Sequence, residues 1–118
     1  SLHTIIPGFA SKDGAPFLSF GVMHGFYQPV GQVQALQNIV DFGMNVQEAL
    51  DMGRGMRTPA GFEAERSLPN ATLAGLLERG HPVRMAELAW GGGQAIMPMG
   101  GVLHASSDPR KDGVALAY

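Results

Sequence analysis

Phe17-Leu18-Ser19-Phe20-Gly21-Val22-Met23-His24-Gly25-Phe26-Tyr27-Gln28-Pro29, with the residues that follow it through position 42, decides how the rest of this chain is read. An apolar strand breaks at glycine, turns tightly through His24-Gly25 and feeds a helix. Pro29 has the fixed φ of a first helical turn. Val33, Leu36, Ile39 and Val40 recur at helical spacing, and Gly43 follows as a left-handed C-cap. A strand-turn-helix of this kind aims backbone N–H groups into one small volume, which suits an anion or a developing oxyanion. A glycine turn that only packs a helix on a sheet has the same local pattern, so the pattern alone does not choose.

Working outward, the chain has 118 residues, which bounds it to a single domain or part of one. Net charge is −2 and charged residues make up 15%, giving no electrostatic case for nucleic acid or an anionic membrane surface. No apolar run approaches the roughly 20 residues that span a bilayer, and no signal-peptide pattern is present. With no cysteine there is no disulfide or thiol chemistry, and any compartment fits. The 17 glycines are about twice the usual share, so many backbone positions should need positive φ or close approach. Ser1 in place of methionine suggests a processed or engineered start.

Upstream of the opening stretch, residues 4–10 read as a short strand interrupted by Pro7, and Ser11-Lys12-Asp13-Gly14 as a hairpin turn into a second strand, Ala15–Val22. The continuous apolar character of residues 17–22 predicts burial on both faces. Downstream, Asn45 and Glu48 form a capping box on a short helix that Gly53 and Gly55 stop. Residues 52–61 read as a glycine-rich loop in which Arg54 and Arg57 are solvated charges, the alternative being a salt bridge across the loop or a bound carboxylate. Residues 62–66 read as a strand. Pro69-Asn70 opens a helix with Leu73, Leu76 and Leu77 on one face and Gly80 at its end. Residues 82–88 return as a strand. Gly91-Gly92-Gly93 precedes a strand rather than a helix, which argues against a phosphate loop and for close packing beneath His24-Gly25. Residues 94–97 and 102–106 pair as a hairpin across Pro98-Met99-Gly100-Gly101, and a charged turn over 108–113 leads to a last strand ending at Tyr118. The fold class is α+β, with no internal repeat.

The stretch LSFGVMHGFYQPVGQVQALQNIVDFGMNVQEALD resembles the small-subunit region of the gamma-glutamyltransferase family, a branch of the N-terminal-nucleophile hydrolases. GGGQAIM and the tail GVLHASSDPRKDGVALAY resemble later blocks of the same subunit, in the same order. The resemblance covers nearly the whole chain. It implies a four-layer αββα sandwich, of which residues 1–118 would be one partial domain, the C-terminal portion of the small subunit. It also implies an amidohydrolase or acyltransferase of glutathione-type amides whose N-terminal threonine attacks an amide carbonyl, its own α-amine acting as base. That threonine lies ahead of these residues, so the chain by itself is expected to be inactive and to need the rest of the enzyme, large subunit included, as partner.

In the family, two adjacent glycines on the turn donate N–H groups to the tetrahedral oxyanion. The matching residues are His24 and Gly25, so one glycine is replaced. Two adjacent serines hold the glutamyl carboxylate, and the matching pair is His3-Thr4. Thr4 keeps a hydroxyl, and an imidazole at His3 can still donate or, when protonated, attract an anion. The expectation is a small acid-bearing amide as substrate, less well tuned to glutamyl. The resemblance brings no cofactor.

Other constellations carry less. Ser1 falls far downstream of the family's nucleophile. His3, His24, His81 and His104 show no i, i+4 pairing with carboxylates, so no metal site is expected. The seven methionines read as gap-filling residues. His104 with Ser106-Ser107-Asp108 imitates a hydrolase triad, but neighbours on one strand point to alternate faces and do not converge. The rival reading is a non-catalytic descendant or truncated fragment serving as a binding or assembly domain. Strand edges with Lys12 and Lys111 as the only lysines predict a homo-oligomer when the chain is isolated.

Overall fold

A computed structural model describes residues 4–118, with seven strands and three α-helices among them. The chain divides into two compact units, one formed by the stretch up to Asp51 together with Gly91–Tyr118, the other by Met52–Trp90.

The first unit holds a four-stranded antiparallel sheet. Its outer pairs are hairpins. β1 (Gly8–Lys12) joins β2 (Ala15–Val22) through Asp13-Gly14, and β6 (Gly93–Met99) joins β7 (Val102–Ser107) through Gly100-Gly101. All four turn residues have positive φ, as two-residue hairpin turns require. The central pairing aligns Ser19, Phe20, Gly21 and Val22 with Ile96, Ala95, Gln94 and Gly93. Pro16 and Pro98 lie beyond that paired stretch, where a missing N–H costs no ladder bond between β2 and β6.

Helices α1 (Gln28–Val40) and α2 (Val46–Asp51) cover one face of this sheet. Leu18, Tyr27 and Leu50 are each 1% exposed there, with Val22, Ala35, Ile39, Ala49, Ala95 and Met97 around them. Truncating a leucine so placed costs about 2–5 kcal/mol. The capping box forms as the sequence predicts. Asn45 Oδ1 accepts from the N–H groups of Gln47 and Glu48, and Glu48 Oε2 accepts from Asn45 N–H. Gly43 has φ +68 at the end of α1.

The second unit has a three-stranded sheet, β3 (Gly55–Thr58), β4 (Gly61–Ala64) and β5 (Val83–Met85). β4 and β5 are parallel, joined by α3 (Asn70–Glu78) as such a crossover requires. Glu65 is buried and closes the unit. Its Oε1 accepts from Trp90 N–H at 2.7 Å, and its Oε2 from Arg54 N–H at 2.9 Å. Trp90 C=O in turn accepts from Arg54 Nη1 at 2.9 Å.

Five expectations need correction. The first strand is Gly8–Lys12 rather than residues 4–10, because the stretch before Gly8 bonds to α1 side chains instead of a strand. Burial of β2 is one-sided: Leu18 and Val22 are buried while Ser19 is exposed, since α1 and α2 cover a single face. Residues 52–61 are not all loop. β3 pairs with β4 around Pro59-Ala60, where Thr58 Oγ1 donates to Gly61 C=O and accepts from Ala60 N–H. Arg54 is 4% exposed, not solvated, whereas Arg57 is exposed. Residues 114–118 form no strand, because Pro109 and the bond from Lys111 N–H to Asp108 C=O turn the chain after β7.

Candidate active-site turn

The junction of β2 and α1 is built from bonds that leave little choice of path. Val22 is the last residue paired with β6, opposite Gly93. Met23 N–H donates to Gly92 C=O at 2.9 Å, which carries the pairing one residue beyond the strand. His24 then adopts φ 102, ψ 59 and Gly25 φ 47, reversing the chain in two residues. Gly25–Tyr27 make one 3-10 turn that runs into α1, with Tyr27 N–H donating to His24 C=O at 2.9 Å and Pro29 in the first helical turn. Tyr27 is the anchor: its ring is buried, and its hydroxyl donates to Gln34 Oε1 at 2.7 Å.

Gly91 explains why the triple glycine precedes a strand. Its φ is +70, and a Cβ there would stand 2.5 Å from Met23 C=O and 3.2 Å from the Tyr27 ring. The backbone of residues 91–92 therefore lies directly against residue 23, the packing the sequence predicts.

His24, Gly25 and Phe26 are exposed, Phe26 at 91%. The first N–H groups of a helical turn have no partner within it, and the dipole of α1 makes this end electropositive. No acidic residue occupies the first turn of the 3-10 segment or of α1 to cancel that field. The turn is thus an exposed concentration of positive backbone potential flanked by an apolar ring.

The structure ties the Thr4 backbone to the start of α1. Gln28, buried at the start of α1, donates from Nε2 to Thr4 C=O at 2.8 Å, and Gln32 one turn later donates to Ile6 C=O. Thr4 itself is exposed. His3 and Ser1 lie outside the described residues. Gln28 and Gln32 were missed by sequence reasoning, although glutamines at i, i+4 on an otherwise apolar helix face are a legible signal.

The imitation triad does not assemble. Asp108 is spent on Gly93 N–H and Arg110, Ser106 Oγ donates to Ala95 C=O at 3.4 Å, and His104 is exposed. Among the described residues no group of three or more His, Asp or Glu could hold a metal ion, and no helix is long and apolar enough to cross a membrane.

Comparison with known proteins covers the whole chain. The family model described as gamma-glutamyltranspeptidase matches residues 1–118. The glutathione hydrolase-like YwrD proenzyme of Bacillus subtilis is 29% identical over 98% of this chain and 24% of its own length. An acylase ACY 1 proenzyme of Pseudomonas sp. is 29% identical over 97% of this chain and 21% of its own. The crystal structure of cephalosporin acylase from Bacillus halodurans is 41% identical, with a TM-score of 0.92 over 98% of this chain and 23% of that one. The gamma-glutamyltranspeptidase of Pseudomonas nitroreducens has the same fold at TM-score 0.86 and 24% identity, over 99% of this chain and 63% of that one. The fold is therefore of the N-terminal-nucleophile hydrolase type, and the chain spans about a quarter of the length of these curated relatives.

Proposed function

We propose, since this chain belongs to the gamma-glutamyltranspeptidase family, that it is the C-terminal part of the small subunit of an amidohydrolase or acyltransferase acting on small acid-bearing amides. Gly25 and His24 supply the oxyanion turn. His3 and Thr4 form part of the acyl pocket. The attacking threonine comes from the segment ahead of these residues, and the remaining wall of the pocket from the large subunit.

One observation carries this reading. A histidine is held at φ 102, ψ 59 in an exposed turn at the start of a helix. Such a backbone costs a non-glycine residue about 1–3 kcal/mol and persists where the surroundings impose it, which is common at catalytic turns. Here the imposition comes from Met23, Gly91 and Tyr27 on either side. In the proposed reaction the threonine oxygen bonds to the carbonyl carbon as its proton passes to the threonine's own α-amine. The C=O π pair moves onto oxygen, and the turn's N–H groups stabilise that charge; collapse then breaks the C–N bond, the amine leaving with the proton. The names of the relatives point two ways, one a glutathione hydrolase-like protein and two of them acylases. Histidine at position 3, in place of the family's serine, favours the acylase side.

The test is amide cleavage by the natural-length protein, with gamma-glutamyl and glutaryl anilides as substrates, beside residues 1–118 alone. Turnover is expected from the natural-length protein and none from the shorter chain. A natural-length protein that cleaves neither amide overturns the reading. So does turnover by residues 1–118 that vanishes on Ser1→Ala, which would move the nucleophile to Ser1.

A further inference from the structure

We infer that Asp108, held by Arg110, is the positioning residue of the His24-Gly25 turn, an inference that rests on reading this turn as the oxyanion site. Asp108 is 1% exposed. Its Oδ2 accepts from Gly93 N–H at 2.7 Å, while its own N–H donates to Gly93 C=O at 3.0 Å. Its Oδ1 accepts from Arg110 N–H at 2.9 Å and from Arg110 Nη1 at 3.2 Å. The same Nη1 donates to Leu50 C=O at 2.7 Å, near the end of α2.

The link to the turn is a single peptide plane. Gly93 N–H and Gly92 C=O belong to one rigid amide unit. Its N–H is fixed by the buried carboxylate, and its C=O accepts Met23 N–H at 2.9 Å. The plane cannot rotate without losing both bonds. Glycines on either side would otherwise leave it free to turn, so the carboxylate removes a freedom that the sequence of three glycines creates. A charged acceptor on the N–H also polarises the amide and strengthens its carbonyl as an acceptor for Met23. Met23 immediately precedes His24, so the orientation of the turn is inherited from Asp108 through one amide.

A buried aspartate that only ties the tail to α2 predicts a different outcome when the charge is removed. In the natural-length protein, Asp108→Asn is expected to lower kcat on an anilide by about 10- to 100-fold with KM within about twofold. Amide hydrogen exchange at Met23 should accelerate by about tenfold, while Ile96 and Ala105 in the middle of the sheet hold their rates. Unchanged kcat in a folded variant overturns the inference. So does faster exchange at Met23, Ile96 and Ala105 together with a fallen thermal midpoint, the mark of general destabilisation. Arg110→Gln leaves the carboxylate in place and should show the same pattern at smaller size. If neither variant folds, the wild-type protein decides: Met23 and Gly93 should exchange with equal protection, as partners in one opening, and unequal protection overturns the inference. Should the wild-type protein cleave no amide, the oxyanion reading fails while the exchange pattern still decides the link between Asp108 and the turn.

Discussion

Met23 N–H donates to Gly92 C=O at 2.9 Å, and the carbonyl of the same Met23 stands 2.5 Å from where a Cβ on Gly91 would be. Residue 23 is thus gripped on both its polar groups by one glycine loop. Gly91→Ala must clash with backbone and also hold alanine at φ +70, so it should destabilise by about 2–4 kcal/mol. Gly100→Ala, at φ +60 with open space around it, should cost about 1 kcal/mol. Denaturant unfolding of the two variants checks the ordering, and equal losses would refute the grip.

His24→Gly should stabilise the fold. Glycine normally loses about 0.5–1 kcal/mol against other residues through the entropy of the unfolded chain. Histidine at φ 102 gives up about 1–3 kcal/mol of backbone strain, so the strain term wins. A net gain of about 1 kcal/mol should appear as a higher thermal midpoint. A lower midpoint would mean that the imidazole itself makes contacts worth more than the strain.

His3→Ser in the natural-length protein should shift preference toward gamma-glutamyl over shorter acidic donors. Thr4→Val should weaken both. A hydrogen bond to a charged group contributes about 1.5–3 kcal/mol, so each shift should reach one to two decades in kcat/KM. Competition between donors measures it, and an unchanged ratio with His3→Ser would remove residue 3 from the pocket.

Residues 1–118 produced alone should self-associate. Phe9, Ser19, Ile96 and Ala105 form one row across all four strands on the face away from α1 and α2, with Phe9 65% and Ile96 45% exposed. Covering a few hundred Å2 of such surface is worth several kcal/mol at about 25 cal/mol per Å2. Ultracentrifugation across micromolar concentrations should find a dimer or larger species, and Ile96→Lys with Leu103→Lys should return it to monomer. A wild-type monomer at every concentration would show that the face is self-sufficient.

Much of this was legible in the residues. Asp13-Gly14, Gly100-Gly101 and the Asn45–Glu48 box are local chemistry, decided within four residues, and each formed as read. The strand-turn-helix around His24 was legible for the same reason. What escaped was decided at a distance. Residues 55–58 look like a loop until residues 61–64 pair with them. Arg54 looks solvated until Glu65 and Trp90 close over it. Asp108 reads as a turn charge because its partner Gly93 N–H lies fifteen positions earlier. The four residues that decide a turn do not reach that far.

The strand order also sets when the site comes into being. The two hairpins, β1-β2 and β6-β7, close over a few residues each and can form within microseconds. Joining them pairs Val22 with Gly93, about 70 residues apart, and that loop-closure entropy must be met before any contact rewards it. Met23 and Gly92 are the next residues after that pair. The turn at His24-Gly25 therefore acquires its geometry only when the slow, long-range step is complete, and neither hairpin by itself carries a site.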